Sequence, residues 1–193
     1  MNRVFKILYK PASVFEQLND FYEDDLNADS NIITSVLGFL LGIYSCYIDF
    51  ESFKEISSGI GIVLICILAV IAFNGIFLLF YNYILTYILY WIGKLLNSRG
   101  LVAEIRAAIA YSILPGIFGL VLMLIQGLNS EFLFDANTQL IIVRILSVVT
   151  IFWSMIILVV GLKIFNKYGF IKAVVNVLVL PLSALIVYIF YIK

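Results

Sequence analysis

Residues 56–93 read ISSGIGIVLICILAVIAFNGIFLLFYNYILTYILYWIG, without a single charged side chain. A helix of about 38 residues is roughly 57 Å long, whereas a hydrocarbon core of about 30 Å is crossed by about 20 residues. Four further charge-free runs follow the same pattern: Ser30–Ile48, Ala107–Ser130, Ile145–Leu162 and Ala173–Ile192. Each has the length of a spanning helix, about 18 residues or more. Hydrophobic residues make up 64% of the chain and charged residues 12%, where a soluble domain carries about 25%. The reading is an all-α polytopic membrane protein. Histidine is absent, which removes His-based metal sites, general bases and pH switches.

The long run is either one helix or two spans turning at Asn74-Gly75, and the placement of Lys and Arg separates the two cases. With one helix there are five spans. Arg3, Lys6, Lys10, Lys94, Arg99, Arg106, Lys163, Lys167 and Lys172 then share one side, against Lys54, Arg144 and Lys193 on the other. Splitting the run swaps the later loops and gives five against seven. Five spans are therefore expected at about 31–48, 58–93, 107–128, 140–162 and 173–192. The N-terminus is cytoplasmic and the C-terminus extracytoplasmic. Tyr83, Tyr87, Tyr90 and Trp91 supply an aromatic belt at the inner end of the second span. The outer loops are acidic, with Asp49, Glu51 and Glu55 in one and Glu131 and Asp135 in the other. Arg144, just inside the fourth span, is close enough to the outer surface to snorkel or to pair with a carboxylate.

Two regions result: residues 1–28, a cytoplasmic segment, and 29–193, the five-helix domain. Pro11 suits the first turn of a helix. Val14, Phe15, Leu18, Phe21 and Tyr22 then fall on one face at helical period. Residues 1–22 are read as an amphipathic helix in the membrane interface, apolar side toward lipid and basic residues near headgroups. Packing of that face on the protein's own inner surface is the competing placement.

Small residues mark where helices approach. Gly38 and Gly42 form G-x-x-x-G on the first span, and Ala108, Ser112 and Gly116 recur at every fourth position on the third. Pro115 and Pro181 fall mid-span, where each removes a backbone hydrogen bond and can kink its helix. Arg106-Ala107 to Pro115 and Lys172-Ala173 to Pro181 share one spacing, and each follows a basic, glycine-containing loop. Helices 2–3 and 4–5 are thus a candidate parallel repeat. Cys46 and Cys66 both lie in apolar runs. They are read as free thiols acting as small hydrophobes, a disulfide being open to them only if two helices present them at equal depth.

Several stretches, in order, resemble the Yip1 domain family of five-span membrane proteins. They are Lys10-Pro11-Ala12-Ser13-Val14-Phe15-Glu16, the second span ending at Gly93-Lys94, and Ala107-Ala108-Ile109-Ala110-Tyr111-Ser112-Ile113-Leu114-Pro115. Trp153 with Gly161-Leu162-Lys163, and Lys172-Ala173 through Pro181, complete the set. The resemblance implies an accessory integral membrane protein, some bacterial relatives resembling partners of ATP-driven (ABC-type) exporters. It brings no catalytic residues. The hydrophilic tail through which eukaryotic relatives act in vesicle traffic has no counterpart in the short N-terminal segment.

The function expected is a non-enzymatic adaptor or scaffold in the plasma membrane, without cofactor, metal or nucleic acid. Its expected partners are membrane lipids and other integral membrane proteins, an exporter among them, and self-association is compatible with its small-residue faces. The inner cations Lys94, Arg99, Arg106, Lys163, Lys167 and Lys172 are the candidate contact for a partner or for lipid headgroups. The alternative is a lipid-handling or small-molecule transport protein with a cavity between the two proline-kinked hairpins. An intramembrane enzyme needs paired carboxylates or a Ser–Lys arrangement within the bilayer, and the sequence has neither.

Overall fold

The structure is a computed structural model that describes residues 3–128 and 136–191. The acidic loop containing Glu131 and Asp135 and the terminal Lys193 lie outside those residues. All regular elements among the described residues are helical: α1 (Arg3–Lys6), α2 (Pro11–Leu18), α3 (Glu23–Ile48), α4 (Phe50–Ile56), α5 (Ile60–Leu79), a π-helical turn (Phe80–Leu85), α6 (Thr86–Leu95), α7 (Val102–Ser112), α8 (Leu114–Leu128), α9 (Ala136–Asn166) and α10 (Phe170–Tyr191).

Among the described residues, four helical stretches are long and apolar enough to cross a membrane: Glu23–Ile48, Ile60–Leu95, Val102–Ile125 and Ile141–Asn166. The second is continuous helix, so Asn74-Gly75 makes no turn. A fifth, shorter apolar stretch, Phe170–Val179, opens α10, whose helix runs through Pro181 to Tyr191. The third is interrupted. Pro115 has no N–H to give the Tyr111 carbonyl, regular helix stops at Ser112, and it restarts at Leu114 after a turn at Ile113.

At the centre stands α7, packed between α3 and α9. Ile105, Ala107, Ala108 and Ala110 are fully buried, with Ile109 and Tyr111 almost so, as befits a helix packed between two others. Helix α3 runs along α5 as an antiparallel pair. An added Cβ at Gly38 falls 2.8 Å from the Asn74 Cα, and one at Gly42 falls 2.7 Å from the Val70 Cα. Only glycine admits that backbone approach. On the third span, Ala108 faces Gly161 of α9. Gly116 stands apart: a Cβ there meets nothing within 4 Å, so this position is not a close helix contact.

The N-terminal segment departs from the lipid-facing placement. Helix α2 forms where the periodicity puts it, but Val14, Phe15 and Leu18 are fully buried against the bundle. The Phe15 ring stands edge-on to Phe165 at 5.5 Å and to Tyr111 at 6.3 Å between centroids. Gly161 clears space for it, since a Cβ at that position falls 2.8 Å from the ring. Upstream, Phe5 packs on Phe118 and the Trp153 indole N–H donates to the Leu8 carbonyl at 3.0 Å. The physical reason is that a groove lined by Gly161, Ala108 and Phe165 takes the same apolar face that lipid would, and adds close packing contacts.

Candidate functional site

The turns that close α6 and α9 use the same local device. Helix α6 closes with Asn97 in the left-handed conformation (φ 63°). The Asn97 N–H donates to the Lys94 carbonyl at 3.0 Å and the Ser98 N–H to the Gly93 carbonyl at 2.9 Å. These two bonds satisfy carbonyls that a helix end otherwise orphans. Helix α9 closes with Lys167, also left-handed (φ 52°), whose N–H donates to the Ile164 carbonyl. Asn tolerates that conformation; Lys adopts it at a cost of about 1 kcal/mol or more.

What holds the turns is a buried polar knot. Asn166 and Asn176 are fully buried, and each donates an amide N–H to the Tyr168 hydroxyl at 2.9 Å. Asn176 also donates to the Leu89 carbonyl at 3.3 Å, tying α10 to α6. The Arg99 backbone N–H donates to the Asn166 carbonyl at 3.2 Å, joining the two turns directly. Gly93 and Gly100 make room: a Cβ at Gly93 lies 3.2 Å from the Ser98 hydroxyl, and one at Gly100 collides with the Asn166 amide. Burial pushes the pKa of the Tyr168 phenol up, against the two amide bonds that lower it, so it is a neutral hydroxyl at physiological pH.

Around this knot Lys94, Arg99, Lys163, Lys167 and Lys172 are all exposed. The Lys94 ammonium sits 5.0 Å from the Tyr90 ring centroid, and the Lys172 ammonium donates to the Leu96 carbonyl at 3.0 Å, clasping one turn from the other. Arg106, grouped with these cations from the sequence, does something different. Its Nε donates to the Asn82 carbonyl at 3.1 Å, its Nη1 donates to the Asn27 side-chain oxygen at 2.6 Å, and its guanidinium lies over Tyr83. The π-helical turn explains this, because such a turn frees a backbone carbonyl from its helical partner, and Asn82 presents one to the arginine. Arg106 is a structural tie between α3, the π-turn and α7, and is withdrawn from the exposed set.

A polar layer extends from that tie. Thr34 donates to the Asn82 side-chain oxygen at 3.3 Å, and the Asn82 amide donates to Asn31 at 2.7 Å. Tyr111 donates to Asp29 at 2.9 Å, and Asp29 pairs with Arg3 at 3.4 Å. Reading the sequence for charge and small-residue spacing missed Asn27, Asp29, Asn31, Asn166 and Tyr168. The available signal was that these polar residues fall within a few turns of the helix ends nearest the basic turns, in otherwise apolar helices.

Between α3, α5, α7, α8 and α9 lies an apolar cavity of about 520 Å³. Leu37, Phe77, Tyr81, Gly116, Met123 and Met155 are among its lining residues. Gly116 is what opens it locally. Two of the hydroxyls at its wall are engaged by their own helices: Ser112 donates to the Ile109 carbonyl and Thr150 to the Leu146 carbonyl. Among the described residues the second hairpin contributes α9 to its walls and not α10, so the cavity lies between α3, the first proline-broken hairpin and the leading helix of the second. Among the described residues no group of three or more His, Cys, Asp or Glu side chains is placed to hold a metal.

Long apolar helices knotted by intramembrane hydrogen bonds, without a clustered acid, base or metal set among the described residues, define a polytopic helical membrane protein. The model of the Yip1 domain matches residues 5–192, essentially the whole chain, and the chain belongs to that family. No curated protein and no solved structure matches it significantly.

Proposed function

We propose that this chain is a non-enzymatic adaptor with five spans, its N-terminus cytoplasmic and its C-terminus outside the plasma membrane. In this reading Lys94, Arg99, Lys163, Lys167 and Lys172 form an inner docking face for the acidic cytoplasmic surface of another integral membrane protein. The observation that carries it is the rigid mounting of these cations. Two left-handed turns are joined by a main-chain hydrogen bond and sealed over the Asn166–Tyr168–Asn176 knot. Orientation signals alone need positive charge on the correct side; they do not need a fixed constellation. An ATP-driven exporter is the first partner to look for, and family membership supports an adaptor-type role.

The test is reversal of Arg99 and Lys167 to Glu in one variant, leaving the knot intact. Partners captured with the unaltered protein in mild detergent are expected to be lost while membrane insertion and expression hold. Retention of every partner by a normally inserted variant reduces these cations to orientation signals.

A second reading, lipid handling, is favoured by one observation, the cavity beside Gly116. Its walls are mostly apolar, which suits an acyl chain. Gly116→Phe fills it, and lipid that co-purifies with the unaltered protein is then expected to be displaced. Unchanged lipid content removes this reading.

A further inference from the structure

The seam between α3 and α5 repeats every four residues. Gly38 lies against Asn74, Gly42 lies against Val70, and the next rung is Cys46 against Cys66. Moving four residues forward on one antiparallel helix and four back on the other keeps the register, so both cysteines stand at one depth. The Cys46 thiol donates to the carbonyl of Cys66 itself at 3.5 Å, and the Cys66 side chain faces it. Both thiols are free and partly exposed. A disulfide needs Cα atoms about 4.4–6.8 Å apart, and one turn away the seam is so close that a Cβ at Gly42 falls 2.7 Å from the Val70 Cα.

We propose that Cys46 and Cys66 are a reversible cross-link site that locks α5 to α3 at the end of the pair remote from the basic turns. The chemistry is exchange with an incoming low-molecular-weight or protein disulfide. One cysteine thiolate attacks it, forming a mixed disulfide and releasing one thiol. The second thiolate then attacks the cysteine sulfur of that mixed disulfide and expels the other thiol. The incoming disulfide is reduced by two electrons, and the pair is oxidised with loss of two protons. The lock has mechanical meaning here, because the most apolar stretch of Ile60–Leu95 buries none of its residues and α5 leans on α3 along its length. Under the orientation proposed above the rung lies toward the extracytoplasmic side, where disulfides persist; the geometry itself does not depend on the adaptor reading.

The experiment counts free thiols on the full-length protein in mild detergent. The protein is reduced, freed of reductant, treated with oxidised glutathione, denatured and labelled with a maleimide carrying a polyethylene glycol tag. Two tags are expected before oxidation and none after, on a chain that remains monomeric, with both tags restored by dithiothreitol. Cys46→Ser is expected to show no closure within the chain. A variant combining Cys66→Ser with Ile67→Cys moves the second thiol to an exposed neighbouring position and is expected to keep both tags. Two tags persisting on the oxidised wild-type chain, or tags lost only through bonds between chains, overturn the proposal. So does equal closure by the displaced pair. If a variant fails to fold, intact mass of the oxidised wild-type chain decides: a loss of two hydrogens is closure, whereas a gain of two glutathione adducts in its place overturns the proposal.

Discussion

Phe15→Ala separates a docked N-terminal helix from one lying on lipid. The ring is fully buried and makes edge contacts with Tyr111 and Phe165. Removing it forfeits about 2 kcal/mol of transfer free energy and two aromatic contacts of about 0.5–1.5 kcal/mol each. It also leaves a hole in front of Gly161 that backbone cannot easily fill. The expected loss is about 3–5 kcal/mol, in line with large-to-small core substitutions. Thermal unfolding of the purified protein in one detergent reads this as a clear fall in midpoint. Glu16→Ala, one residue on and exposed, is the control and is expected within about 0.5 kcal/mol of the parent. If Phe15→Ala matches the control, α2 rests on lipid and the docking argument fails.

Gly42→Leu places a side chain against the Val70 backbone and is expected to cost at least about 1–3 kcal/mol; Gly116→Ala points into open space and is expected to leave the unfolding midpoint nearly unchanged. Arg106→Gln abandons the Asn82 carbonyl or the Asn27 side chain and is expected to cost about 1–3 kcal/mol, visible as the same midpoint falling, whereas Arg99→Gln is not. Fusion of a reporter active only outside the membrane is expected to be silent after Arg99 and active after Lys193; activity at Arg99 refutes the proposed orientation.

The charge-free runs sufficed to place the apolar helices, because a bilayer leaves a backbone no other way to satisfy its hydrogen bonds over that length. Residues 60–93 show this best: uncharged throughout, they lie in one continuous helix rather than a hairpin at Asn74-Gly75. The local break at Ile113 was equally near the surface of the sequence, since Pro115 removes a donor wherever it sits. The period of Val14, Phe15 and Leu18 announced an amphipathic helix, and Asn97 is a residue type that tolerates a left-handed cap.

Tertiary structure decided what covers each face. A hydrocarbon tail and a packed protein interior are equally apolar, so periodicity cannot say whether Phe15 meets lipid or Gly161. The same limit applies to Gly116, which shares its four-residue spacing with Ala108 yet opens a cavity while Ala108 closes a seam. Arg106 reads as one more inner cation until the π-turn hands it the Asn82 carbonyl. Cys46 and Cys66 read as two unrelated small hydrophobes until the antiparallel register of α3 and α5 sets them on one rung. Such pairings depend on how helices distant in sequence dock, and composition along a single chain carries no record of that register.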